Sequence, residues 1–571
     1  MSHPNYLYAL EDRPPLLNTL ILGLQHAVLA LVFMVYPLAV AQDLNLSSQM
    51  TLDFLTACVI ASAASTALHF FRAPIGSGSL AVEIPTPIFL STAILAGTMG
   101  GLPALSAVAL ISGVVEIGFA RLLRHVRGLF PAEVCGVAVM LLGVSIIKPG
   151  MLASFGLSGS NTVLHSASLI TALATLVTMT FISIFGSKNL KLIALASGLV
   201  VGVLCAANLG LLGARYWDKI LAAPIVALPA VKLSLPHLDW SLLPLSIVMA
   251  LVLSVDNIGM LVGIQRQQNL NWQKIDLQHA SDGIQVSGIG DLVAGLFGGM
   301  PTGISSAHVG LAHATGAVSR MIALAAGGLI LIAAFAPKVL ILISLMPRPV
   351  VGAVMVYTAI YMVVSGMTLI LNRMLNERRV FVIGFALVLG LTSALLPGVY
   401  QGAPVLMRPI LESPLAMGTL AAMLLTQLFR IGASVRSHRE LQLSSTANES
   451  LQEFEVNRAL RGALESIGAE VGAARAFLDR AIDVTSELLA TLRATTSMDD
   501  VVLVATRVED SRLEICLSYA GDPVPFTEVA GIDAESGPSL LAQVSRSASH
   551  VDRIISSSNG RYQRIVLIYQ A

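Results

Sequence analysis

Charge is scarce in this sequence. Of its 571 residues 12% are Asp, Glu, Lys or Arg and 55% are hydrophobic, against about 25% charged in an average soluble domain. The mean hydropathy is +0.78. That balance excludes a soluble globular protein and places the chain in a membrane. The 34 basic and 34 acidic residues cancel, so no excess of positive charge points to a nucleic-acid partner. Cysteine is sparse too. Cys58, Cys135, Cys205 and Cys516 share neither a CxxC nor a metal-ligand spacing, and the first three sit in apolar runs, as packing residues do. Residues 1–432 contain no nucleophile–base pair, no phosphate-binding loop and no metal cluster, so neither an enzyme nor a bound cofactor or metal is expected. Residues 1–15 are polar, and no cleavable leader is expected before the first long apolar run.

Long apolar runs are what the chain has instead. About 20 apolar residues cross the hydrocarbon core as a helix. Runs of that kind fall at 16–40, 51–71, 103–123, 131–149, 163–185, 191–212, 242–264, 317–345, 349–370, 379–397 and 413–431. The stretches 79–98, 283–299 and 303–316 are apolar but rich in Gly, Pro and Ser. Counting all of them gives fourteen crossings and returns the C-terminus to the side of the N-terminus. On that side the loops hold twelve basic residues: Arg72, Arg121, Arg124, Arg127, Lys188, Lys191, Arg266, Lys274, Arg320, Arg373, Arg378 and Arg379. The other side holds seven: Lys148, Arg215, Lys219, Lys232, Lys338, Arg348 and Arg408. Lys and Arg favour the cytoplasmic face, which puts both termini in the cytoplasm and the protein in the cell (inner) membrane. Three segments follow: a transporter-like membrane domain (1–432), a polar linker (433–451) and a soluble module (452–571).

Two segments echo each other. "PAEVCGVAVMLLGVSIIKPGM" (131–151) and "PRPVVGAVMVYTAIYMVVSGM" (347–367) agree at Pro131/Pro347, Val134/Val350, Gly136/Gly352, Gly150/Gly366 and Met151/Met367. "PIGSGSLA" (74–81) and "PTGISSAH" (301–308) agree at Pro74/Pro301, Gly76/Gly303 and Ser79/Ser306. Repeats of seven spans are necessarily inverted, since an odd number of crossings flips the second copy. Broken, Gly/Pro-interrupted segments at matching places point to a midplane binding site. Non-helical backbone survives in lipid only where protein or a water-filled cavity satisfies it. Residues 76–82 and 303–307 are therefore expected to pair as short antiparallel strands, with the half-helices after them aiming their positive ends at one point.

Intramembrane acids are few: Glu83, Glu116, Glu133, Asp256, Asp282 and Asp291. Each is costly in a bilayer, at about 2.5–3.5 kcal/mol on insertion scales, and needs a reason. Asp256, in "MALVLSVDNIGMLVG", lies well inside a span and reads as a substrate acceptor or protonation site. His308 opens the second half-helix. His26, in "LGLQHAVLAL", and Glu83, in "SLAVEIPTP", are candidates for ion coupling. Glu116 and Glu133 read as lying near span ends in packing or loop roles, and His313 as structural.

"GLQH", "GSGSLAVEIP", "GDLVAGLFGGMPTG" and "AHVGLAHATGAVSR" together resemble the nucleobase–ascorbate transporter family, which includes uracil:proton and xanthine:proton symporters. The resemblance covers roughly residues 15–432, and "MPRPVVGAVM" resembles that family's twelfth span. It implies fourteen spans as two inverted seven-span repeats, a core domain moving against a gate, and short strands in the third and tenth spans. It also implies substrate held by backbone at Leu80–Ala81 and Ala307–His308 and by Asp256 on the eighth span. The family signature reads here Ala307, His308, Val309, Gly310, then Thr315 and Gly316, keeping the framework at Gly310 but not the two specificity positions. Asp256 stands where Glu is usual, Met260 where bacterial members often have His, and Leu80 where an aromatic commonly stacks on the base.

In residues 452–571, "RALRGALESIGAEVGAARAFLDRAIDVTSELLATLRA" reads as helix, "DDVVLVATRVEDSRLEICLSYAG" as a hairpin and "YQRIVLIYQA" as a closing strand. The order resembles the histidine-kinase-type ATPase fold of anti-sigma factors. Thr491 replaces the Asn that would follow Glu487 by four, and Tyr519 to Pro523 replace the nucleotide-reading strand end. A regulatory or dimerisation module that binds no nucleotide is expected. The leading expectation is thus a secondary-active, proton-coupled (or sodium-coupled) importer of a nucleobase-like heterocycle. An anion transporter of the same architecture and a transport-fold sensor are the alternatives. The expected partners are a small-molecule substrate, membrane lipid and a second copy of the chain.

Overall fold

The computed structural model describes residues 6–430 apart from 75, 127–130, 158–163, 188–189, 192, 214–215, 230–232, 269–274, 372–373 and 397. Beyond them it describes 437–444, part of 458–486, and strands between 499 and 570. The chain divides into two compact units, residues 1–367 with 385–423, and residues 368–384 with 424–571.

The helices in chain order are α1 (Leu16–Val32), α2 (Val35–Asp43), α3 (Ser48–Leu68), α4 (Leu90–Val126), α5 (Ala132–Ser154), α6 (Ser166–Phe185), α7 (Ala194–Asn208) and α8 (Tyr216–Ala222). There follow α9 (Leu243–Gln268), α10 (Leu277–Phe297), α11 (Ser306–Thr315), α12 (Arg320–Ala334), α13 (Pro337–Ser344), α14 (Arg348–Leu371), α15 (Glu377–Leu395), α16 (Arg408–Glu412) and α17 (Pro414–Arg430). Strands β1 (Glu83–Pro85) and β2 (Thr302–Ile304) interrupt them. Among the described residues 8 helices are long and apolar enough to cross a membrane, or up to 9 if α12 and α13, bent by 80°, form one span. The protein is a multi-pass helical membrane protein. Within α4 the helix breaks at Gly100 and Gly101, the latter at φ 67°. An L-residue resists that conformation, so the run is two helices, as the separate apolar stretches 79–98 and 103–123 imply.

Lipid tails give apolar helices no hydrophobic reason to associate, so close packing at small residues does the work. A Cβ on Gly113 of α4 would lie 2.5 Å from the Gly288 carbonyl of α10, and one on Gly295 2.6 Å from Leu110. Gly327 of α12 likewise abuts Ala67 of α3 at 2.7 Å. Helices α5 and α14, which carry the echoing segments, pack directly on each other. A Cβ on Gly366 would meet Gly136 O at 2.6 Å, and one on Gly352 would meet Gly150 O at 2.6 Å. Exchanging Gly136 with Gly352 and Gly366 with Gly150 turns one contact into the other.

The paired strands lie elsewhere than the sequence indicates. Residues 76–82 form a loop, and the antiparallel pair is Glu83↔Ile304, Ile84↔Gly303, Pro85↔Thr302. Gly78 sits at φ 65°, and Ser77 and Ser79 hydrogen-bond one another at 2.7 Å beside His69, which keeps this stretch from extending. Pro74 therefore lies well before β1 whereas Pro301 runs straight into β2, so the two are not equivalent. The pairing centres on Ile84 and Gly303, a spacing close to that between Pro131 and Pro347. An N-terminal segment is stitched across the α11–α12 junction by Leu7 N–H to Gly316 O (2.8 Å) and Val318 N–H to Tyr8 O (2.9 Å). There Arg72 and Arg320 flank Glu11, and the hydrogen bond from Arg72 holds that carboxyl below its ordinary range.

In the second unit, β3 (Ser437–Ser444), β4 (Asp499–Glu509), β5 (Arg512–Ala520), β6 (Arg553–Asn559) and β7 (Tyr562–Gln570) form one antiparallel sheet in the order β3-β4-β5-β7-β6. The expected hairpin is β4–β5 and the expected closing strand is β7. Strand β3 falls inside the stretch expected to be linker. Glu487, Thr491 and Gly521 to Pro523 lie outside the described residues.

The α4–α10 contact has no room for a side chain at Gly113. Gly113→Val is expected to destabilise by about 1–3 kcal/mol, the usual cost of overpacking. Gly328→Ala, where a Cβ meets nothing within 4 Å, should leave the melting temperature in detergent unchanged. A thermal-shift comparison of the two variants with the unaltered protein measures the difference.

Candidate functional site

Strands β1 and β2 are each three residues long, so their ladder satisfies few backbone groups and side chains do the rest. Asp291 Oδ1 accepts from Thr302 N–H at 2.7 Å, and Asn257 Oδ1 accepts from Ile304 N–H at 3.0 Å. Ser305 N–H donates to Val82 O at 3.0 Å and Thr86 N–H to Pro301 O at 2.9 Å. These bonds bring the loop before β1 beside the start of α11. Ala81 and Ile304 then pack with Val255 and Leu261 of α9, with Val309, Ile258 and Met260 at the margin.

Backbone donors are left over at this point. No acceptor among the described residues reaches the N–H of Leu80 or Ala81, both buried. In α11 the N–H groups of His308 and Val309 both go to Ser305 O, at 3.2 and 3.3 Å, and the Ser305 side chain provides no cap. The N–H groups of Ser306 and Ala307 meet no acceptor among the described residues, at the positive end of the helix.

Asp256 lies on α9, next in the chain to Val255, which packs with Ala81 and Ile304. Its side chain is part-exposed, and no hydrogen bond or ion pair among the described residues engages it. Gly259, Met260 and Gly263 share its face of the helix, and a Cβ on Gly263 would stand 3.6 Å from Val309 of α11. A Cβ on Gly259 or Gly310 would meet nothing within 4 Å. Helix α9 thus carries a carboxylate with no partner among the described residues, and the loop before β1 and the start of α11 carry the leftover N–H groups.

The histidines sit apart from it. His308 is buried with its Nε2 3.0 Å from the His26 carbonyl, and the two rings stack at 5.4 Å. His308 is therefore turned toward α1, and only its backbone belongs near the donors. His313 is exposed. Glu83 is wholly buried. Its carboxylate accepts from His69 Nε2 (3.0 Å), Ser287 Oγ (2.5 Å) and Thr302 Oγ1 (2.8 Å), and its N–H donates to Thr66.

Glu116 corrects the sequence reading. It lies in the middle of the second helix of α4, fully buried, with Oε1 3.2 Å from Asn257 Nδ2. The apolar run ends at 123 whereas the helix continues to Val126, so Glu116 lies farther from the end than the run implies. His69, Ser287, Thr302 and Asn257 were not singled out in the sequence either. Single polar residues in a span carry no signal until the fold brings them together.

The xanthine/uracil permease model, described as "Permease family", matches residues 17–399. The chain belongs to this permease family. It is therefore a transporter of a small molecule, not an enzyme. Among similar proteins is the provisionally named purine permease CPE0397 of Clostridium perfringens, 26% identical over 75% of this chain and 93% of that protein. The xanthine permease XanP of Escherichia coli is 24% identical over 74% of this chain and 94% of its own length. Among solved structures, the murine Solute Carrier 26 family member A9 anion transporter, in its inward-facing state, superposes with TM-score 0.50. It is 14% identical, over 77% of this permease and 72% of that chain, a likeness of fold.

Asn257 ties α9 to β2 and to Glu116. In this permease, Asn257→Ala strands the Ile304 N–H and removes a donor to Glu116, a loss of about 1–3 kcal/mol for buried groups left unpaired. The expected result is a lower melting temperature than that of Ser47→Ala, which removes a 3.3 Å cap at the exposed start of α3.

Proposed function

We propose that this permease imports a small nucleobase-like heterocycle by proton-coupled alternating access. The carrying observation is an Asp256 carboxylate with no partner among the described residues, on the helix whose Val255 and Leu261 pack with Ala81 and Ile304, next to the segments whose N–H groups at Leu80, Ala81, Ser306 and Ala307 find no acceptor there. An oxopurine or oxopyrimidine presents ring N–H donors and C=O acceptors in one plane. Asp256 takes the donors, the backbone N–H groups take the carbonyls, and Gly310 leaves room for the ring. A buried hydrogen bond to a charged group is worth about 1.5–3 kcal/mol, enough for selectivity over apolar molecules. The name of XanP supports a xanthine-class substrate. Leu80 supplies an apolar wall in place of an aromatic one. His26 and Glu83, engaged with other groups, hold the broken segments in position.

The membrane domain in this reading has fourteen spans, arranged as two inverted seven-span repeats broken at the third and tenth. The Gly136–Gly366 and Gly150–Gly352 contacts support that symmetry. Both termini are cytoplasmic by the distribution of Lys and Arg. The functional unit is a homodimer, and residues 452–571 with β3 form a regulatory or dimerisation module. A second reading, an anion carrier, is favoured by the free N–H groups at the α11 start, which suit a negative ligand. The Asp256 carboxylate opposes it.

Uptake into proteoliposomes of radiolabelled xanthine, uracil and sulfate, with and without an inward proton gradient, separates the two readings. Base uptake driven by the gradient and reduced roughly 10- to 100-fold by Asp256→Ala, the loss of one charged hydrogen bond, is the expected result. Sulfate uptake indifferent to that substitution would establish the anion carrier instead. Deleting 433–571 is expected to leave uptake measurable. A chain that responds to substrate without transporting it, and loses that response on this deletion, would be a sensor.

A further inference from the structure

A second group of carboxylates lies behind the paired strands, and Asp256 is not part of it. Glu116 on α4 and Asp291 on α10 are both wholly buried. The two helices meet closely here, for a Cβ on Gly288 would stand 3.2 Å from Glu116 Cβ. Asp291 lies one turn on from Gly288 on the same face of α10, and a Cβ on its neighbour Gly290 would stand 3.2 Å from Glu83 Oε2.

The three acids are not equivalent. Glu83 accepts three side-chain hydrogen bonds and is complete as an ionised carboxylate. Glu116 spends one oxygen on Asn257 and Ser254, and Asp291 spends one on Thr302 N–H. Their other oxygens, Glu116 Oε2 and Asp291 Oδ2, are buried and hydrogen-bonded by no donor among the described residues. Ser112, one turn before Glu116, sets its buried hydroxyl beside Asp291. Facing the pair are Glu83 from β1, with His69 of α3 behind it, and the uncharged Asn257 and Ser254 from α9.

Two like charges in such a site do not both persist without compensation. We infer that Glu116 and Asp291 together form a proton-binding site for the coupling ion, distinct from the substrate acceptor Asp256. A single proton held between the pair leaves one negative charge for both and supplies the donor that the two free oxygens lack.

The wiring to transport runs through two hydrogen bonds. Asp291 holds Thr302 N–H, and Asn257 bridges Glu116 to Ile304 N–H. Both end on β2, which leads within a few residues to the donors at Ser306 and Ala307. Asn257 also neighbours Asp256 in the chain. Adding or removing the proton changes how hard the pair pulls on β2, and so the geometry of the substrate donors. Strand β2 is thus the element through which proton and substrate act on one another.

The inference rests on the proposed symport, and the test has arms that fail separately. In proteoliposomes holding the full chain, xanthine counterflow requires binding and a change of access but no driving ion, whereas accumulation under an inward proton gradient requires coupling. In Glu116→Gln and Asp291→Asn the ratio of driven accumulation to counterflow should fall about tenfold, a typical coupling factor, and Glu116→Asp should recover it. Equal losses of both activities, or accumulation driven by a sodium gradient instead, would overturn the assignment. Absence of xanthine counterflow in the unaltered protein would defeat the substrate reading alone. The infrared arm needs no substrate. A protonated-carboxyl band that titrates in the unaltered protein should lose intensity in Glu116→Gln and in Asp291→Asn. A band unchanged in both would refute the proton site.

Discussion

Backbone hydrogen bonding in hydrocarbon constrains this protein more than any other interaction. An unpaired peptide group costs several kcal/mol in lipid, so every departure from helix must be completed from within. The crossing of β1 and β2 is the main such departure among the described residues. Its strands satisfy part of one another, and Asp291, Asn257, Thr66 and the Val82 and Pro301 carbonyls satisfy more. The remaining donors, at Leu80, Ala81, Ser306 and Ala307, lie together because the same bonds that complete the crossing fix where it falls short.

That arrangement explains why the polar residues of the membrane domain are concentrated. Asp291 and Asn257 hold strands, and Glu83 is held by His69, Ser287 and Thr302. The close approach of α4 and α10 at Gly113 and Gly288 brings Glu116 into the same region. Small residues at helix contacts and acids behind the strands are thus two parts of one solution. Without the glycines the helices would stand too far apart for a few short side chains to complete the backbone.

Much of this was legible in the sequence, and the limits are physical. Helices of about 20 apolar residues are readable because length alone decides whether they can span. The breaks are readable because Gly and Pro disfavour helix wherever they occur, as at Gly100, Gly101, Pro301 and Gly303. The register of β1 with β2 was not, since three residues carry almost no periodicity and the pairing is set by partners from α3, α9 and α10. His308 illustrates the same limit. Its place at the head of a half-helix was evident, but its side chain follows a stack with His26 that no local pattern announces. Asp256 is legible as an acid well inside a span, and no hydrogen bond or ion pair among the described residues engages it.

The central claim is that free backbone N–H groups on either side of the strand crossing receive the substrate. Hydrogen–deuterium exchange of the reconstituted protein, with and without xanthine, measures it directly. Slower exchange of the amides of Leu80, Ala81, Ser306 and Ala307 on adding xanthine, with the Thr302 and Ile304 amides already slow in its absence, is the result this account predicts. Equal exchange at the four amides in both conditions, in a protein that binds xanthine, would contradict it.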